Sequence, residues 1–144
     1  CYAESGRIRS MEWRNLHEMM NRSLVPVLHG DVVMDGERGV TIVSGDQLVG
    51  YLARVLRILR VGLATDVAGV LDNGRVVPEI TPESADRLCF SSSSHTDVTG
   101  GMEGKVQELV RLAREGIRSE IFHVSRLGAF LDGEPHGGTV VRAG

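Results

Sequence analysis

Apolar positions in this chain change period repeatedly along its length. Trp13, Leu16, Met19 and Met20 recur at helical spacing and predict a helix over Arg9–Arg22, with Ser10 as its cap and no strand before it. Leu24-Val-Pro-Val-Leu28 is a continuous apolar run, read as a buried strand ending at His29-Gly30-Asp31. Val32–Met34 and Val40–Val43 flank the turn cluster Asp35–Gly39 and predict a β-hairpin. Leu48, Val49, Leu52, Val55, Leu56 and Leu59 then mark one face of a strong helix, capped by Ser44 or Asp46.

The second half alternates in the same way. Val61–Ala64 reads as a strand ending at Thr65-Asp66, and Asn73-Gly74 as a tight hairpin turn. Thr81, followed by Pro82, opens a short helix. Val106, Leu109, Val110 and Ala113 face inward from a helix over Val106–Arg114. Ser119–Val124 is a strand, Leu127–Leu131 a helical turn, and Gly138–Arg142 a last strand. Strands alternating with helices predict an α/β sheet covered on both faces, within one partial domain over residues 1–144.

Composition narrows the function classes. At 144 residues, 42% of them hydrophobic, the chain can bury a core without disulfides or metals. The net charge of -3 comes without a basic run, which excludes a nucleic-acid footprint. No apolar stretch has the length of a membrane span, so no membrane partner is expected. Cys1 and Cys89 lie far apart with no metal-ligand spacing, a pattern that fits free thiols and a cytoplasmic location. His17, His95, His123 and His136 show no i, i+4 pairing, so no zinc site is expected, and Arg54, Arg57 and Arg60 read as a solvated helix face.

Candidate chemistry sits in three glycine turns. Ligands of open α/β sheets bind beyond the carboxyl ends of strands, where helix N-termini offer N–H groups to phosphate. His29-Gly30-Asp31 reads either as a substrate-facing backbone edge or as an ordinary turn. Asp46 in Ser44-Gly45-Asp46 reads either as a helix cap or as a carboxylate that orients lysine ammonium groups on a transferring phosphate. Asp97-Val-Thr-Gly-Gly-Met-Glu-Gly-Lys105 places two glycines and a lysine at a helix start, a candidate phosphate cradle. It is not a P-loop, because Val106 follows the lysine where Ser or Thr is required.

Taken together, five segments are far more specific. Leu24-Val-Pro-Val-Leu-His-Gly-Asp-Val, Ile42-Val-Ser-Gly-Asp-Gln-Leu, Leu63-Ala-Thr-Asp-Val-Ala-Gly-Val, Asp97-Val-Thr-Gly-Gly-Met-Glu-Gly-Lys and Gly138-Thr-Val-Val-Arg occur in this order. The series resembles the amino acid kinase family, and within it the isopentenyl phosphate kinases, from the first helix to Arg142. The resemblance implies a three-layer αβα sandwich of which this chain is the nucleotide-binding, C-terminal part. It implies Asp46 and Lys105 as catalytic residues, and Thr65, Asp66, Gly100, Gly101 and Lys105 as the ATP site. It implies Gly30 as the backbone edge facing the acceptor, isopentenyl phosphate. ATP and Mg²⁺ are the implied cofactors, and the full-length protein is implied to be a homodimer.

Three departures qualify the match. Ala68 stands where the family reads a second aspartate in Thr-Asp-Val-Asp-Gly, and Ser125-Arg126 stands where it often reads Asn-Gly. The family's opening Lys-x-Gly-Gly-Ser and its Gly-Gly-Gly-Ser-Phe-Gly-His are not found. These carry a catalytic lysine, phosphate-binding glycines and the histidine that holds the acceptor phosphate. The chain alone is therefore expected to be catalytically crippled. The rival readings are a fosfomycin kinase-like or other small-molecule kinase of the family, and a non-catalytic nucleotide-binding module.

Overall fold

The computed structural model describes residues 1–87 and 101–144, which form two compact units, Cys1–Arg57 and Ile58–Gly144.

The first unit is built on a four-stranded sheet ordered β2-β1-β3-β4. β1 (Tyr2–Glu4) and β2 (Arg7–Ser10) form an antiparallel pair ahead of α1 (Arg14–Asn21). The expected helix over Arg9–Arg22 is thus shorter and does have a strand before it. Ser10 lies in β2 and does not cap α1, whose N-cap position is Trp13. The error is one of period: Arg7-Ile-Arg-Ser10 alternates in steps of two and was absorbed into the neighbouring helical pattern. β3 (Asp31–Asp35) runs parallel to β1 and antiparallel to β4 (Gly39–Val43), giving the expected hairpin. Asp35 fastens its turn, accepting N–H bonds from Gly6 at 2.6 Å and from Glu37 and Arg38 at 2.9 Å each. Burial pushes the Asp35 carboxyl up, but the N–H groups of Arg38, Gly6 and Glu37 outweigh it and hold the group below the usual aspartate range.

α2 (Gly45–Val55) is capped by Ser44, whose Oγ accepts from the Gln47 N–H at 3.2 Å, and Asp46 lies in its first turn. The helix stops short of Leu59, which is exposed rather than inward. Leu48 and Ala53 from α2 are buried with Ala3 and Val43 of the sheet. The run Leu24–Leu28 is not a strand: it joins no ladder, and its apolar side chains are exposed. An apolar sequence specifies a buried strand only where neighbouring strands exist to pair with it.

The second unit centres on the sheet β5-β9-β10-β8. β5 (Arg60–Thr65) leads to a hairpin of β6 (Leu71–Asp72) and β7 (Arg75–Val76). Asn73 and Gly74 at its turn both have positive φ, 48° and 78°, as the Asn-Gly signal requires. β8 (Glu79–Ile80) precedes α3 (Pro82–Ala85), where Thr81 and Ser84 form a reciprocal capping box. α4 (Gly101–Arg114) starts five residues earlier than the periodicity alone predicts, taking Gly101 and Lys105 into its first turns. β9 (Arg118–His123) follows, then a single 3-10 turn at Val124–Arg126 and α5 (Leu127–Asp132). β10 (Thr139–Val141) closes the sheet, antiparallel to β9 and parallel to β8.

Alternation along β5 and β9 gives this sheet two apolar faces. Val61, Leu63, Ser119 and Ile121 point one way and are buried, and α4 packs against β9 and β10 through Val106, Leu109, Leu112 and Ala113. Gly62 and Phe122 point the other way, where Phe130 of α5 stacks on Phe122 with ring centroids 4.7 Å apart. A Cβ at Gly62 would lie 2.5 Å from the Phe130 ring, so glycine there admits the aromatic. Helix, sheet and helix make the expected αβα layering.

Candidate functional site

In the first unit, two of the glycine turns singled out by sequence meet at one corner. Asp31 pairs with Val43 across the β3–β4 ladder, which brings His29-Gly30 onto the β4–α2 junction. A Cβ at Gly30 would stand 2.5 Å from the Val43 carbonyl oxygen and 3.3 Å from the Gly45 nitrogen. Only glycine fits there, so bare backbone is presented beside the N-terminus of an eleven-residue helix. Asp46 shares that corner. Ser44 caps the helix through the Gln47 N–H, and Asp46 follows it in the first turn.

In the second unit the Thr65–Val70 segment leaves the carboxyl end of β5. The Thr65 hydroxyl lies 3.2 Å from the Val67 N–H and 2.9 Å from the Val67 carbonyl, and it locks the turn on which Asp66 is exposed. The segment is then pinned to β10: Val70 N–H donates to Thr139 Oγ1 at 2.8 Å, and a Cβ at Gly69 would meet that same oxygen at 2.8 Å. Ala68, the departure from the family pattern, is exposed within this turn. Gly101 opens α4 with φ of 56°, a left-handed conformation that glycine tolerates. Lys105 lies one turn further along the helix. Residues 97–100 of the expected cradle, Gly100 included, lie outside the described residues.

Sequence reasoning missed a buried ionic cluster under the second sheet. Glu120 is 1% exposed and accepts two bonds from Arg60, Nε to Oε1 and Nη2 to Oε2, both at 3.0 Å. Arg118 Nε reaches Oε1 at 3.0 Å, and His136 Nε2 reaches Oε2 at 2.6 Å. Gly138 N–H donates to His136 Nδ1, which assigns the ring hydrogen to Nε2. Burial pushes the Glu120 carboxyl up, and the hydrogen bonds from Arg60 and His136 with the charges of Arg60 and Arg118 hold it below the usual glutamate range. Arg60 also lies over the Phe130 ring at 4.1 Å. Arg60 is therefore not part of a solvated helix face, as its spacing from Arg54 and Arg57 implied. It begins β5 and faces Glu120. The Arg118-x-Glu120 alternation was the available signal, and only strand pairing places Arg60 beside Arg118.

With this geometry established, known proteins settle the family. The amino acid kinase family model matches residues 3–123. The chain belongs to the amino acid kinase family. It is 50% identical over 127 residues to the isopentenyl phosphate kinase of Haloferax volcanii, covering 86% of this chain and 49% of that one. The isopentenyl phosphate kinase of Methanothermobacter thermautotrophicus is 35% identical over 134 residues, again covering 49% of the relative. An isopentenyl phosphate kinase crystal structure superposes with a TM-score of 0.78 at 30% identity, over 96% of this chain and 54% of that one. This member of the family thus spans about half the length of the curated relatives it matches. Among the described residues no helix is long and apolar enough to cross a membrane.

Proposed function

We propose that this chain is the nucleotide-binding, carboxy-terminal part of a kinase that transfers the γ-phosphoryl group of ATP to the phosphate of isopentenyl phosphate. The observation that carries the reading is the 50% identity to the Haloferax volcanii kinase over 127 residues, 86% of this chain. In such a transfer an oxygen of the acceptor phosphate attacks the γ-phosphorus, the bridging bond to the β-phosphate breaks, and ADP leaves. The acceptor is already anionic, so no strong general base is needed. Catalysis reduces to in-line positioning and charge neutralisation.

The residues divide these tasks. Gly30 presents backbone to the acceptor without a side chain to block it. Asp46, in the first turn of α2 beside Gly30, orients lysine ammonium groups on the transferring phosphate. Lys105 offers a compact positive charge to the nucleotide phosphates. Thr65 holds the turn that presents Asp66 to the nucleotide, and Gly100 and Gly101 allow close approach of the backbone. Mg²⁺ would supply further charge neutralisation. In this reading Mg²⁺ is carried by the nucleotide phosphates. The full-length protein is a cytoplasmic homodimer in this reading.

Calorimetric titration with Mg·ATP tests the nucleotide site. The chain binds, and Lys105→Ala weakens binding by about tenfold; equal affinity of the two proteins would remove Lys105 from the site. A coupled ADP assay with isopentenyl phosphate tests the partial-domain reading. The chain alone gives no robust turnover, and robust ADP release would refute the assignment of essential groups to an amino-terminal part.

A further inference from the structure

Of the five family segments, Gly138-Thr-Val-Val-Arg142 alone supplies no residue to nucleotide or acceptor in the proposed function. It forms β10, and most of its polar groups hold the sheet together. Val140 N–H donates to the Pro78 carbonyl, Arg142 N–H to the Ile80 carbonyl, and the Arg142 guanidinium pairs with Glu79. Thr139 differs. It is 0% exposed, and its hydroxyl accepts the N–H of Val70, a residue outside the strands, at 2.8 Å. Valine suits a buried strand position and leaves no hydroxyl to satisfy, so the bond to Val70 is the physical reason for threonine here.

Val70 ends the turn that carries Asp66. It is 1% exposed, and its carbonyl accepts the Val77 N–H at 2.8 Å, so both its main-chain polar groups are fixed. Gly69 has no room for a Cβ, which would stand 2.8 Å from Thr139 Oγ1 and 3.0 Å from Val76 Cγ1. At the other end of the turn the Thr65 hydroxyl holds the Val67 N–H. Asp66 is exposed between these two anchors. Gly138 sets the second anchor in place. A side chain there would run into the Ile121 carbonyl, so glycine lets β10 close on β9 with Thr139 opposite Ile121. We propose that Thr139 is a positioning residue of the nucleotide site, holding the Thr65–Val70 turn from β10 in the conformation that presents Asp66. A backbone fixed beforehand need not be ordered when ligand binds, so Thr139 raises affinity without touching the nucleotide.

The inference rests on the reading of Asp66 as a nucleotide-site residue, and separate variants test the two. Calorimetry measures Mg·ATP affinity for the chain, Asp66→Ala, Thr139→Val, Thr139→Ser and Val141→Ala, with urea midpoints and hydrogen exchange of the Val70 amide followed in parallel. Thr139→Val keeps the shape and removes the acceptor. It weakens Mg·ATP binding by about fivefold and speeds exchange at Val70 by about tenfold. Thr139→Ser keeps the hydroxyl and restores affinity to that of the unaltered chain. Val141→Ala, at a fully buried residue of β10 that pairs with Ser119 and Ile80, lowers the urea midpoint and leaves affinity unchanged. General loosening of the sheet would instead weaken both. Should Thr139→Val not fold, Gly69→Ala drives a methyl group against Thr139 Oγ1 and gives the same loss from the turn's side. Weakened binding in Asp66→Ala with unchanged binding in Thr139→Val, or in Gly69→Ala where that variant replaces it, would overturn the positioning role and leave Asp66 in the site. Asp66→Ala binding as tightly as the unaltered chain would remove Asp66 from the site and overturn both. So would an unaltered chain that binds no Mg·ATP.

Discussion

In the second unit, β5 and β9 send Val61, Leu63 and Ile121 toward one face and Phe122 toward Phe130 and His136 on the other, and all four strand residues are buried. In the first unit, Ala3 and Val43 are buried on one face, while Val32, Met34, Val40 and Ile42 stand exposed on the other. Both sheets alternate, and both carry apolar residues at alternate positions. The difference lies in what covers them: the second sheet meets helices within its own stretch of chain, and the first meets a helix on one side only. Apolar alternation therefore does not fix burial by itself; burial follows from the elements that pack on a face.

The largest test of this contrast pairs one substitution from each sheet. Phe122→Ala removes a buried aromatic that stacks on Phe130, and is expected to cost about 4 kcal/mol of unfolding free energy. Met34→Ala, at an exposed position, is expected to stay within about 0.5 kcal/mol. Urea denaturation measures both, and similar costs at the two sites would abolish the distinction between a covered and an open sheet.

Next in size is Glu120→Ala. It strips a buried carboxylate from Arg60, Arg118 and His136, and a loss of about 3 kcal/mol is expected in the same assay. A neutral result would mean that the cluster gives the second unit no net stability.

Acid titration separates the units more finely. The carboxyls of Glu120 and Asp35 are both held below their ordinary values of 4.5 and 3.8. Each stabilises its unit fully above the ordinary value, and the contribution is lost as pH falls through the lower folded value. The urea midpoint is therefore expected to be steady above about pH 5 and to fall below it. In Glu120→Ala the acid-dependent fall becomes shallower while the Asp35 part remains. An unchanged slope in that variant would assign the acid loss to other groups.

Smallest is the cap of α2. Ser44→Ala removes the Oγ acceptor from Gln47 and is expected to cost about 1 kcal/mol. If that substitution instead leaves stability unchanged, the Ser44 hydroxyl gives the helix start no net stability.

Local signals in the sequence were the most dependable. Asn73-Gly74, Thr81-Pro82, Ser44 and the β3–β4 turn act through groups within a few residues of one another, so their chemistry is complete before the chain folds. The αβα layering and the family motifs were legible for the same reason, because each depends on periodicity or on contiguous residues. β1 and β2 were missed because a three- or four-residue strand carries too few periods to stand out beside a helix.

The sequence by itself determined the family, the order of most elements, and the positions of the glycine turns at which phosphate contact is proposed. Only the tertiary structure decided that Gly30 lies against Val43 and Gly45, that Arg60 and His136 converge on Glu120, and that Leu24–Leu28 stays unpaired. Each of these joins residues distant along the chain, or leaves them unjoined. Strand pairing and buried ion pairs gain their energy from groups that only folding brings together, so no local pattern can announce them.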